Sequence, residues 1–192
     1  MKIDRQTALI VVDVQNDFCP GGALAVPQGD EVIPILNRYI EAFQRASSPI
    51  FFTRDWHPAN HSSFKSQGGP WPDHCIQGTT GAQFHPKLKV PQDAVIISKA
   101  THPTVDAYSG FQGTELAQNL KQQEIRKILV GGLATDYCVK HTVLDGLKSG
   151  FTVYFLSDVS RAVNVSPQDG QKAIEEMIAA GSQAMTFSQL EI

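Results

Sequence analysis

Short apolar runs alternate along the chain with segments whose apolar residues recur at helical spacing. The runs Ala8–Val14, Ile50–Thr53, Ala94–Ser98, Lys127–Val130, Thr152–Leu156 and Ala184–Phe187 have the length and aliphatic content of buried strands. Ile33, Leu36, Ile40 and Phe43 share one helix face, and Leu116 with Leu120 marks a second helix. A third is expected from Asp136 to Ser149, with Val139, Val143 and Leu147 on one stripe and Gly150 as its stop. Ser166-Pro167 is expected to open a fourth, as an N-cap followed by proline in the first turn, and Gly181 to close it. Strands that alternate with helices imply parallel pairing and an α/β fold whose sheet is covered on both faces.

One stretch breaks the alternation. From Arg54 to Asp93 there is little periodicity, and Pro58, Pro70, Pro72, Pro86 and Pro91 are scattered through it. A loop of that length inside a compact domain calls for a functional reason. It also holds His57, His61, His74 and His85, together with Trp56 and Trp71.

Length and charge narrow the classes. A chain of 192 residues is read as one domain, 1–192, long enough to bury roughly 70% of its unfolded surface. The formal net charge is -3 and no basic run stands out, which argues against nucleic acid or an anionic membrane as partner. No run approaches the ~20 apolar residues of a membrane span, and the N-terminus has no separate apolar signal segment. Three cysteines without such a segment fit a reducing cytoplasm better than a Cys19–Cys75 disulfide.

In open parallel sheets, ligands bind outside the carboxyl ends of the strands. Asp13 stands at the end of the first run, Asp55 and His57 come just after the second, and Lys99 just after the third. Cys138 comes after the fourth and Asp158 after the fifth. Gly131 and Gly132 are expected to end the fourth strand, which places Cys138 in the first turn of the next helix. Unpaired N–H groups there favour a thiolate, and a nearby cation lowers the thiol pKa further. The alternative is a small residue packing helix on sheet.

Asp13 interrupts an apolar strand, and a buried carboxylate is costly unless paired. It is the candidate to take the Cys138 proton. Lys99 is the available cation to offset the repulsion between carboxylate and thiolate. His141, three residues past Cys138, is a competing base, but two side chains leaving one helix in near-parallel directions meet poorly. Asp55-Trp56-His57 points two ligand types to one side of an extended backbone, and His61 and His74 lie further along the same loop. One carboxylate with two imidazoles leaves open coordination positions and suits zinc, iron or manganese. Phe18, Trp56, Trp71, Tyr108 and Tyr137 are the aromatics near this edge.

The set resembles the nicotinamidase/pyrazinamidase branch of the isochorismatase-like cysteine hydrolases over essentially the whole chain. The matching segments are Ala8 to Phe18 (ALIVVDVQNDF), Arg54 to Pro58 (RDWHP), Gly69 to Cys75 (GPWPDHC), Ser98-Lys99, and Gly131 to Val139 (GGLATDYCV). The resemblance implies a three-layer α/β/α, Rossmann-like fold with a six-stranded parallel sheet. It implies Asp13, Lys99 and Cys138 as a catalytic triad, and Asp55, His57 and His74 as ligands of one divalent metal ion, zinc first, with His61 as an additional candidate. It further implies a cis peptide at Leu133–Ala134 that aims the Ala134 and Cys138 N–H groups at an oxyanion. Phe18 and Trp71 resemble pocket walls, with Tyr108 and Tyr137 nearby. The implied reaction is hydrolysis of nicotinamide, and of pyrazinamide, through a thioester in NAD salvage; a homo-oligomer is compatible with it. Two alternatives stand beside it: an amidase for N-carbamoyl substrates, which would want a basic clamp for their carboxylate, and a non-catalytic metal-binding module with an inert cysteine.

Overall fold

The computed structural model describes residues 1–191, so the last residue of the expected 1–192 domain lies outside the described residues. Six strands form one sheet: β1 (Thr7–Val12), β2 (Ile50–Asp55), β3 (Val95–Lys99), β4 (Lys127–Leu133), β5 (Thr152–Arg161) and β6 (Gln183–Met185). Their order is β3-β2-β1-β4-β5-β6, and every neighbouring pair is parallel. The helices are α1 (Ile33–Arg45), α2 (Leu116–Gln122), α3 (Lys140–Lys148) and α4 (Asp169–Ala179).

All six residues of β1 are buried, because successive side chains feed opposite cores. Leu9 and Val11 pack in one cluster with Leu36, Ile40 and Phe43 of α1. Ala8, Ile10 and Val12 pack in the other with Leu120, Val143 and Met177, from α2, α3 and α4. Helices therefore cover both faces, and the architecture is three-layered. The chain runs from β1 outward to β3 and then returns to place β4 on the other side of β1. That reversal opens a crevice at the carboxyl ends of β1 and β4.

Several boundaries differ from the pattern-based ones. Gly131 and Gly132 do not stop β4; the strand runs through them to Leu133. At Gly132, where φ is +128°, a Cβ would lie 2.1 Å from the Val12 carbonyl oxygen, so glycine here permits close backbone approach. β5 continues past Leu156 to Arg161, with a register irregularity against β4 between Val130 and Gly132. Helix α4 begins at Asp169, not Ser166, because the Asp169 carboxylate accepts from the Ser166 N–H (2.7 Å) in a preceding turn. No helix among the described residues is long and apolar enough to cross a membrane.

Candidate active site

Cys138 lies in a π-helical turn, Thr135–Val139, that joins β4 to α3, not in the first turn of the α-helix. The turn is closed by the Val139 N–H donating to the Ala134 carbonyl (3.1 Å). It comes directly after a cis peptide between Leu133 and Ala134. Cys138 is buried, and all three cysteines are free.

Lys99 ends β3 fully enclosed. Its ammonium sits 2.9 Å from Asp13 Oδ2, forms an ion pair with Asp55, donates to the Ala107 carbonyl (3.3 Å) and lies 3.4 Å from Cys138 Sγ. Asp13 leaves the end of β1 in a left-handed conformation, φ +47°. Its Oδ1 accepts from the Thr53 hydroxyl at 2.6 Å. Its Oδ2 has no partner in hydrogen-bonding geometry among the described residues, since the Lys99 ammonium is close but off-axis. Reactive atoms of Asp13, Asp55 and Cys138 lie within 4.8 Å of one another.

Burial dominates the electrostatics. It pushes the Asp13 carboxyl above its ordinary range, more than Lys99 pulls it back. Burial also pushes Asp55 up, but Lys99 and the neighbouring imidazoles prevail and hold it below that range. The Lys99 ammonium pays for its burial yet stays charged, because Asp13, Asp55 and Cys138 surround it. The Cys138 thiol is pushed well above its ordinary value by burial, with Asp13 and Asp55 adding to the effect against Lys99. This corrects the expectation of a thiol acidified by a helix start. Asp13, with a reactive atom within 4.8 Å of the sulfur, is the neighbouring proton acceptor.

Asp55, His57 and His74 bring one ligand atom each within a common 4.8 Å. His57 Nδ1 faces the His74 carbonyl (3.1 Å) and His74 Nδ1 faces the Pro72 carbonyl (2.7 Å). A backbone acceptor at each Nδ1 fixes the proton there and leaves each Nε2 lone pair free, which suits a divalent cation. Burial holds the His57 imidazole neutral, with its pKa down to about 4. The donor set therefore fits one metal ion.

His61 is fully buried with its ring 4.4 Å from His57, but both its nitrogens are engaged, by Ser63 Oγ (2.7 Å) and the Val105 carbonyl (3.2 Å). His57, His61 and Asp106 make a second grouping of ligand types that shares His57.

Phe18, Trp71, Tyr108 and Tyr137 line a cavity with Asp55, His57, His74, Ala134 and Cys138. Phe18 stands 5.6 Å from His74. Trp71 Nε1 donates to the Tyr108 hydroxyl (3.0 Å), and Tyr137 meets Trp71 edge-on at 5.0 Å. Trp56 lies outside this lining, stacked under the Arg54 guanidinium at 3.8 Å. His141 stacks on Tyr108 and makes no hydrogen bond to Cys138 among the described residues. Asp158 lies within β5 and is structural: it accepts from the Tyr39 hydroxyl (3.2 Å) and the Phe187 N–H (2.8 Å).

Sequence reasoning missed Thr53, Gln15, Ala107, Leu24, Ser63, Asp106 and Val163, which support Asp13, Asp55 or Lys99 or line the cavity. The one available signal, for Gln15, was a cluster of polar residues, Gln15 to Asp17, directly after the apolar run that Asp13 interrupts.

Comparison with known proteins places these observations among relatives. The family model described as the Isochorismatase domain matches residues 7–189. The nicotinamidase of Escherichia coli is 45% identical over 205 aligned positions, covering 96% of each chain. The crystal structure of a Pyrococcus horikoshii pyrazinamidase in complex with zinc is 51% identical, with TM-score 0.91, over 95% of this chain and 99% of that one. The crystal structure of PnC1 from L. infantum in complex with nicotinate is 34% identical, with TM-score 0.92, over 100% and 98%.

Proposed function

The chain belongs to the isochorismatase domain family, and we propose that it works there as a metal-containing cysteine amidase, a nicotinamidase, that converts nicotinamide to nicotinic acid and ammonia in NAD salvage. Pyrazinamide, which carries the same carboxamide on a similar ring, is a second substrate. One observation carries the reading. Cys138 Sγ lies 3.4 Å from the Lys99 ammonium, which is itself 2.9 Å from Asp13, at the wall of a cavity that also presents Asp55, His57 and His74.

The side chains account for both halves of the reaction. Cys138 Sγ attacks the carboxamide carbon while its proton passes to Asp13, whose raised affinity for protons equips it to serve as the base as the S–C bond forms. Lys99 stays charged throughout and balances whichever of the two groups is anionic. The Ala134 and Cys138 N–H groups hold the oxyanion, each such donor contributing typically ~3 kcal/mol. Asp13 returns the proton to the departing nitrogen, the C–N bond breaks, and ammonia leaves a thioester on Cys138. Water then gives a proton to Asp13 and attacks the thioester carbon. The C–S bond breaks, the sulfur recovers its proton, and nicotinic acid is released.

Phe18 and Trp71 face the substrate ring, with Tyr108 and Tyr137 closing the mouth. Asp55, His57 and His74 hold the divalent cation, for which zinc is the first choice and iron or manganese the alternatives. When bound, it supplies a Lewis-acidic contact for the pyridine nitrogen. His61 packs its ring 4.4 Å from that of His57 and bonds Ser63 and the Val105 carbonyl. We read the protein as cytoplasmic, acting on a small molecule and not on nucleic acid or a membrane, with homo-oligomerisation compatible with the fold.

The test is equimolar release of ammonia and nicotinic acid from nicotinamide by the purified protein. Inertness toward nicotinamide, with hydrolysis of an N-carbamoyl amino acid, would reassign it within the superfamily.

A further inference from the structure

Past Thr53 the pairing of β1 with β2 ends. The register runs from Leu9 opposite Ile50 to Val12 opposite Thr53, and the Asp13 N–H makes the last bond to the Thr53 carbonyl (3.2 Å). Asp13 then turns the backbone away through its left-handed conformation. Asp55, two residues further along β2, is left without a strand on that side. The side chain of Gln15 takes the vacant place. Its Oε1 accepts from the Asp55 N–H (2.8 Å) and its Nε2 donates to the Asp55 carbonyl (2.8 Å), reproducing both backbone bonds that a neighbouring strand would make. The second Nε2 proton goes to the Ala82 carbonyl (2.9 Å) in the long loop. The residue is fully buried, and its amide uses both donors.

On its other side Asp55 is paired with Lys99 of β3, and the Trp56 N–H bonds the Lys99 carbonyl (3.1 Å). The Asp55 backbone is therefore clamped from both flanks, by a true strand and by an amide that imitates one. Its carboxylate has two tasks that leave little slack: pairing with Lys99 and facing His57 and His74.

We propose that Gln15 is a positioning residue, whose primary amide replaces the missing strand beside Asp55 and so sets the affinity of the Asp55–His57–His74 group for its cation. The proposal rests on the reading of those three residues as metal ligands. It goes further in assigning the geometry of the first ligand to a side chain that touches neither substrate nor cation. Groups that orient metal ligands typically govern affinity by 10- to 100-fold.

The experiment titrates metal-free protein with Co²⁺ and follows the visible ligand-field absorption, which reports binding without turnover. Three proteins are compared: the wild type and two variants. Gln15→Met keeps the side chain's length and removes every hydrogen bond. Leu120→Ala, in the α2 core, serves as a destabilised control. We expect Gln15→Met to weaken Co²⁺ binding about 10-fold or more, and Leu120→Ala to stay within about twofold of wild type. If Gln15→Met does not fold, Gln15→Asn, which withdraws the amide by one methylene, is read by the same criterion. Binding within about twofold of wild type in the Gln15 variant, or an equal loss in the Leu120 control, overturns the positioning role. Absence of Co²⁺ binding in the wild type instead overturns the ligand assignment beneath it.

Discussion

Asp55 and Lys99 are register partners at the carboxyl ends of β2 and β3, and their side chains close an ion pair shut off from solvent. One carboxylate thus belongs to two groups. It neutralises the ammonium that also faces Asp13 and Cys138, and it completes the set made with His57 and His74. The nucleophile side and the cation side of the cavity are joined through a single side chain.

Lys99→Met should therefore damage folding as well as catalysis. It leaves Asp13 and Asp55 buried together without their cation, and breaking a buried pair in this way costs about 3–5 kcal/mol. Urea denaturation of the metal-free variant measures it. A loss below about 1 kcal/mol would mean that solvent or relaxation compensates the carboxylates.

Thr53→Val should move the acid limb of the rate profile. On the proposed mechanism activity requires Asp13 as carboxylate, and it is lost as pH falls through the folded value of that group. The Thr53 hydroxyl bonds the charged form and so lowers this value. Its removal raises the value, and the limb in kcat/KM against pH should shift toward higher pH. An unmoved limb would show that the ionisation seen in the profile belongs to another group.

His57→Ala and His74→Ala should lower metal content in protein purified without chelator, for which the proposed function predicts about one zinc, iron or manganese ion per wild-type chain. Elemental analysis gives the answer directly. Full occupancy in both variants would return these histidines to a structural role.

Benzamide should react far more slowly than nicotinamide, since it keeps the aromatic contacts with Phe18 and Trp71 and lacks the ring nitrogen. The stacking contacts contribute roughly 1–3 kcal/mol. Comparing kcat/KM for the two amides, the preference should be large in the wild type and shrink in His74→Ala. Equal rates on both amides in the wild type would remove the cation from substrate selection.

The six strands and the layers were legible in the sequence because each buried strand reads as an aliphatic run that its neighbours cannot disguise, whereas their order in the sheet comes from the structure. What misled was local chemistry that answers to tertiary contacts. Gly131 and Gly132 read as a stop, but only glycine lets β4 pass the Val12 carbonyl, so the pair continues the strand. Asp158 read as a strand-end site residue, but β5 runs beyond it and the carboxylate turns to Tyr39 and Phe187. Cys138 was found by its placement. Its protonation was not, because the expected acidifying effect of a helix start is outweighed by complete burial beside two carboxylates. Gln15 stayed invisible for a related reason: nothing along the chain says that its amide will meet the backbone of Asp55, 40 residues away.

Rapid-quench intact-mass analysis tests the central claim most directly. Wild-type protein mixed with nicotinamide should carry the mass of a nicotinoyl group, held as a thioester on Cys138, during turnover. Cys138→Ala should show no adduct and lose activity by at least about 10³-fold, while remaining folded because only a sulfur is removed. Appreciable turnover by the alanine variant, or turnover by the wild type with no adduct at any quench time and none trapped by hydroxylamine, would contradict a covalent cysteine mechanism.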